Sequence, residues 1–124
     1  MIAPPPLPPL PPLPSVASDP LGLLLLLVFA HFIGDFVLQS DRMAREKCPC
    51  RGGAVPWGWW LAAHGSTHGM AVALLTGAPL LGLAEALLHA LIDRLKCAGR
   101  IGLPMDQVLH LACKALWVAL LPQL

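Results

Sequence analysis

Leu21-Gly22-Leu23-Leu24-Leu25-Leu26-Leu27-Val28-Phe29-Ala30-His31-Phe32-Ile33-Gly34-Asp35-Phe36-Val37-Leu38-Gln39 is apolar except at His31, Asp35 and Gln39. Its length suits a helical membrane span, which needs roughly 17–25 residues. The three polar residues are spaced by four, so a helix would carry them on one face. The same spacing recurs in His64 with His68, His89 with Asp93, and Asp106 with His110, each pair in or beside another apolar stretch. All five histidines and three of the five aspartates join this pattern. Four helices would then each aim two side chains of metal-ligand type in one direction.

Composition points to the solvent. Hydrophobic residues make up 56% of the 124-residue chain, charged residues 12%, and mean hydropathy is +0.70. A soluble domain carries about 25% charged residues, so the deficit predicts an integral-membrane, all-α four-helix bundle. Helices are expected at about 21–39, 57–76, 80–96 and 105–121, the third being short for a span. Residues 1–20, with the run Ala3-Pro4-Pro5-Pro6-Leu7-Pro8-Pro9-Leu10, read as a disordered or polyproline tail. No Lys or Arg precedes the first apolar run, which reads as a retained span rather than a cleaved leader. A net charge of +1, without a basic-aromatic surface, gives no reason to expect nucleic acid.

Arg42, Arg45, Lys47 and Arg51 lie between helices one and two, and Arg94, Lys96 and Arg100 close helix three. The remaining turn and both termini carry no basic residue. By the positive-inside rule the two basic loops are cytoplasmic and both termini face outward, across a cytoplasmic membrane. Trp57, Trp59 and Trp60 suit an interfacial anchor. Cys48, Cys50, Cys97 and Cys113 then read as reduced thiols without a framework.

Depth gives a second test. At ~1.5 Å per residue, Asp35, His64, Asp93 and His110 share one layer. His31, His68 and His89 lie about one turn deeper, and Asp106 lies nearer the surface. An aspartate at a helix centre costs about 2.5–3.5 kcal/mol to insert and normally faces a bundle interior. A divalent cation would supply the missing charge, and imidazole with carboxylate suits zinc, manganese, iron or nickel. The eight candidates are His31, Asp35, His64, His68, His89, Asp93, Asp106 and His110, with Gln39 and Gln107 placed to orient them. Gly65 and Gly69 would let helix two approach a neighbour closely. Glu85 and Lys114 fall at similar depth in the other half and predict an ion pair. A metal-free network of same-helix His–Asp bonds is the main alternative, but leaves His64 and His68 without an acid; haem ligation and proton conduction are minor alternatives, and haem would leave the aspartates without a role.

The run His31-Phe32-Ile33-Gly34-Asp35-Phe36-Val37-Leu38-Gln39-Ser40-Asp41-Arg42-Met43-Ala44-Arg45-Glu46-Lys47 resembles the opening motif of a bacterial and phage membrane family, domain of unknown function 3307. His64 and His68, His89-Ala90-Leu91-Ile92-Asp93-Arg94-Leu95-Lys96 and Asp106-Gln107-Val108-Leu109-His110 are similar to its later motifs. The resemblance covers about residues 21–120 and implies a shared site but no reaction. By analogy with small membrane proteins described as metal-dependent hydrolases, the first expectation is hydrolysis at the cytoplasmic face. Asp35 or Asp93 would act as ligand or base, and Arg42, Arg45 and Lys47 would hold an anionic lipid or phosphate ester. Divalent-metal transport or sensing, and a structural membrane protein with a polar core, are the other readings. Oligomeric state is not legible.

Overall fold

The computed structural model describes residues 19–124; the Pro-rich tail assigned to residues 1–20 lies almost wholly outside them. The described residues are all-α, with no strand among them. Helix α1 (Pro20–Phe32) continues into a π-helical segment at Ile33–Leu38. Then follow α2 (Asp41–Glu46), α3 (Trp57–Thr76), α4 (Pro79–Cys97) and α5 (Leu103–Leu120), and a 3-10 turn at Leu121–Gln123. Proline stands in the first turn of α1, α4 and α5, where its missing N–H costs nothing and its fixed φ favours helix. Ser40 caps α2, its Oγ accepting from the Met43 N–H at 3.2 Å.

Each of the four long helices packs on two others: α1 on α3 and α5, α4 on α3 and α5. The antiparallel pair α3 and α4 approaches most closely. A Cβ on Gly69 would stand 2.5 Å from the Gly82 carbonyl oxygen, so only glycine permits the crossing. This arrangement leaves two ends. One carries the chain termini and the α3–α4 turn; the other carries the long α1–α3 loop and the α4–α5 turn.

The ends differ in what they bury. Toward the termini, Leu23, Leu27, Val72, Leu81 and Trp117 form an apolar core. Toward the loops the interior is polar, and over both halves together twelve polar or charged side chains are buried among the described residues against seven large apolar ones, while Leu25, Phe29, Phe36, Leu74, Leu83 and Leu87 face outward. Among the described residues, only the segment Pro20–Leu38, of mean hydropathy 2.3, is apolar and long enough to cross a membrane by composition.

The α1–α3 loop is built rather than slack. Arg42 Nε and Trp60 Nε1 donate to opposite oxygens of Glu46, each at 2.9 Å, fastening α2 to α3. The Arg42 hydrogen bond holds the Glu46 carboxyl below its usual pKa. The expectation of reduced thiols is corrected at one pair: Cys48 is disulfide-bonded to Cys97 at the end of α4, with Cα atoms 5.3 Å apart. The fold brings together cysteines 49 positions apart, a proximity no local spacing encodes. Cys50 and Cys113 are free.

Candidate metal centre

The π-helical segment sets the first ligand. Its wider turn re-aims the residues that follow, and Asp35 lies within it, buried, below His31. Gln39 Nε2 donates to the Asp35 carbonyl at 2.9 Å, closing the segment rather than touching the carboxylate. Gly34 is equally determined. A Cβ there would stand 2.5 Å from Cε1 of His68, so its absence lets that imidazole lie against the α1 backbone.

Three imidazoles from two helices, α3 and α4, converge on one oxygen. The Nε2 atoms of His68, His64 and His89 stand 3.1, 3.2 and 3.4 Å from Asp35 Oδ1. His64 Nε2 is also 3.2 Å from His89 Nε2. Despite these distances, Asp35 Oδ1 and His68 Nε2 have no hydrogen-bond partner. Four donors around a tetrahedral ion at ~2.0–2.1 Å would be about 3.3 Å apart, which these separations match. His31, Asp35, His68 and His89 also offer donor atoms all within 4.8 Å of one another.

Same-helix pairing is looser. His31–Asp35 and His110–Asp106 are 3.5 Å apart, and His89–Asp93 is 3.9 Å. His31 Nε2 instead donates to Gln107 Oε1 at 3.1 Å, since that oxygen can only accept. Gln107 Nε2 donates onward to Asp35 Oδ2 at 2.8 Å and to Asp106 Oδ2 at 3.2 Å. One amide thus locks three of the acidic and imidazole groups in place. A metal-free network of i,i+4 bonds does not describe this interior.

The carboxylates are not equivalent. Lys47 Nζ donates to Asp93 Oδ2 at 2.5 Å and Lys96 Nζ to Asp106 Oδ2 at 2.9 Å. Lys114 and Trp117 Nε1 both donate to Glu85, and Glu85 Oε1 lies 3.4 Å from His89 Nδ1. Asp35 alone among these four has no lysine. A carboxylate behind the far nitrogen of an imidazole fixes the ring and makes its other nitrogen a better ligand; Glu85 is placed to do this for His89.

All eight sequence-selected ligand candidates are buried in this half, and Glu85 and Lys114 are buried at its boundary with the apolar core. Sequence reasoning missed Lys47, only 2% exposed. By sequence it falls with Arg42 and Arg45 as a headgroup contact, yet it turns inward, and Arg42 is engaged by Glu46. Its position two residues after Arg45 carries no signal of this, because its direction is set by how the α1–α3 loop lies against α4.

No curated protein and no solved structure matches the chain. A family model described as "Protein of unknown function (DUF3307)" matches residues 23–122, spanning α1 through α5 with every residue of the polar interior, and the chain belongs to that family.

Proposed function

We propose that this chain is a multi-pass membrane protein that holds a divalent ion on Asp35 and hydrolyses an anionic lipid or related phosphodiester at the membrane face. The observation that carries the proposal is Asp35 itself, a buried carboxylate with no lysine, whose Oδ1 faces three imidazole nitrogens without a hydrogen bond. An uncompensated carboxylate in an apolar medium costs several kcal/mol. Zinc, manganese, iron or nickel would remove that cost.

The inverted distribution of polarity supports the membrane. A protein that buries lysine, glutamate and aspartate while exposing Leu, Phe and Val along its helices suits a lipid solvent. Composition singles out only Pro20–Leu38; the charges of α4 and α5 that lower their apolarity largely face inward, on Glu85, Asp93, Asp106 and Lys114. The basic loops favour orientation of the polar end toward the cytoplasm. The Cys48–Cys97 disulfide belongs to that same end, and disulfides persist in oxidising compartments. Labelling Cys50 with a membrane-impermeant thiol reagent on intact cells or spheroplasts decides the side: no labelling until lysis is expected.

Charge supports an anionic substrate. Four carboxylates (Asp35, Glu85, Asp93, Asp106) face three ammonium groups (Lys47, Lys96, Lys114). A divalent ion turns this single negative excess into a single positive one, the complement of a phosphodiester. When bound, such an ion would polarise the ester oxygen and lower the pKa of water. Asp93, engaged by Lys47, is better suited to orient than to take a proton through Oδ2. A surface groove of about 530 Å³ between α1 and α3, lined by Ala30, Ile33, Gly34, Ala63 and Met70, reaches the backbone against which His68 lies. It offers an apolar approach beside the centre.

Transport is the weaker reading, because the terminus half is filled by Leu23, Leu27, Val72, Leu81 and Trp117 and offers no polar path. The test is turnover of anionic phospholipids by metal-depleted protein in nanodiscs. Each metal is added back in turn, with Asp35→Asn as control. Metal-restored product release in the parent alone is expected. A metal-loaded parent that releases nothing from any anionic phospholipid overturns the hydrolase reading.

A further inference from the structure

We propose that the ammonium group of Lys47 stands in for a second divalent cation, so the centre has two cation positions, one of them filled by the chain itself. This rests on the reading of an ion at Asp35, and extends it to Asp93 and His110.

Three buried atoms beside the Asp35 position lack hydrogen-bond partners: Asp93 Oδ1, Asp106 Oδ1 and His110 Nε2. His110 Nε2 stands 3.5 Å from Asp106 Oδ1 and 3.8 Å from Asp93 Oδ1, too far for hydrogen bonds. The Nε2 atoms of His64 and His89 lie 3.6 and 3.9 Å from Asp93 Oδ2, but each has a single lone pair and faces Asp35, so the second group is Asp93, Asp106 and His110. Imidazoles with carboxylates are the donor set of the Asp35 position, so nothing in the chemistry of this second group rejects a metal ion. What occupies it is Lys47, 2% exposed, with Nζ 2.5 Å from Asp93 Oδ2. An ammonium group is a compact point charge on a flexible stem, and can neutralise a carboxylate where an ion otherwise would.

The loop is arranged to deliver it. Cys48, the next residue, is bonded to Cys97, and Cys97 lies one helical turn beyond Asp93 on α4. The disulfide and the ion pair therefore form two adjacent rungs between the loop and α4. Charge also limits the count. With all three lysines in place, one divalent ion already leaves a surplus positive charge in the interior, and a second would raise it to three. Withdrawing Lys47 lowers that surplus from three to two and frees both oxygens of Asp93.

The experiment is elemental analysis of purified protein equilibrated with zinc chloride and then desalted. The parent is expected to hold one zinc per chain, Lys47→Met two, and Lys47→Arg one. A Lys47→Met protein that holds one, or a parent that already holds two, overturns the placeholder role while leaving the Asp35 ion intact. No zinc in either protein overturns both readings. If Lys47→Met does not yield monodisperse protein, the Cys48→Ser, Cys97→Ser double variant loosens the loop and keeps every charge. It is expected to take a second zinc at a concentration at least tenfold below that needed by the parent; an unchanged requirement overturns the proposal.

Discussion

The terminus half and the loop half of this molecule are built from the same four helices but held together differently. Near the termini, Leu23 and Leu27 of α1 meet Val72, Leu81 and Trp117. Near the loops the same helices meet through His31, Asp35, His64, His68, His89, Asp93, Asp106 and His110. Lipid is as apolar as leucine, so in a membrane the first half gains from close packing rather than from leaving water. The second half gains from satisfying charge. Between them stands Glu85, which accepts from Lys114 and Trp117 on one side and faces His89 on the other. The contrast teaches that the polar half is the specific one: its groups have few alternative partners, whereas in the proposed membrane setting apolar contacts can be exchanged for lipid.

The largest expected effect of breaking this contrast is at its boundary. Truncating either Glu85 or Lys114 leaves a buried charge alone and should cost about 3–5 kcal/mol in detergent unfolding, while Glu85→Gln with Lys114→Met should recover most of it. No recovery in the double variant would show that the two residues do not act as a pair. Next is Gly69→Val, which drives α3 from the Gly82 carbonyl and should cost about 1–3 kcal/mol; an unchanged melting curve would contradict the close crossing. In the apolar half, Leu27→Ala should cost about 1–2 kcal/mol, less than a soluble core, because only the cavity is charged against it. Its metal content should equal the parent's. Smallest in stability is Gly34→Ala, whose Cβ displaces the His68 ring. It should weaken metal binding about tenfold, or about 1.4 kcal/mol, measured by competition with a chelator; parental affinity would remove His68 from the site.

Part of this was legible in the chain. Four-residue spacing fixes which face of a helix a pair occupies, so His64 and His68, or Asp106 and His110, announce an inward stripe before any helix is placed. Depth counting set Glu85 against Lys114 because both helices are regular there. The π-helical turn after Phe32 was not legible, since His31 and Asp35 keep the same spacing under either geometry. Lys47 and the Cys48–Cys97 bond were hidden for a different reason. They depend on α2 folding the loop back across α4, a tertiary event that neither hydropathy nor spacing records. Gln107 could be flagged by its place beside Asp106, but not its simultaneous grip on His31 and Asp35.

The proposed metal site rests on a cation answering the unpartnered oxygen of Asp35. Elemental analysis of the detergent-purified parent beside Asp35→Asn, both shown to be folded, tests this most directly. A stoichiometric transition metal in the parent and its loss in the variant is the result expected. A metal-free parent, or equal metal in both proteins, would contradict it.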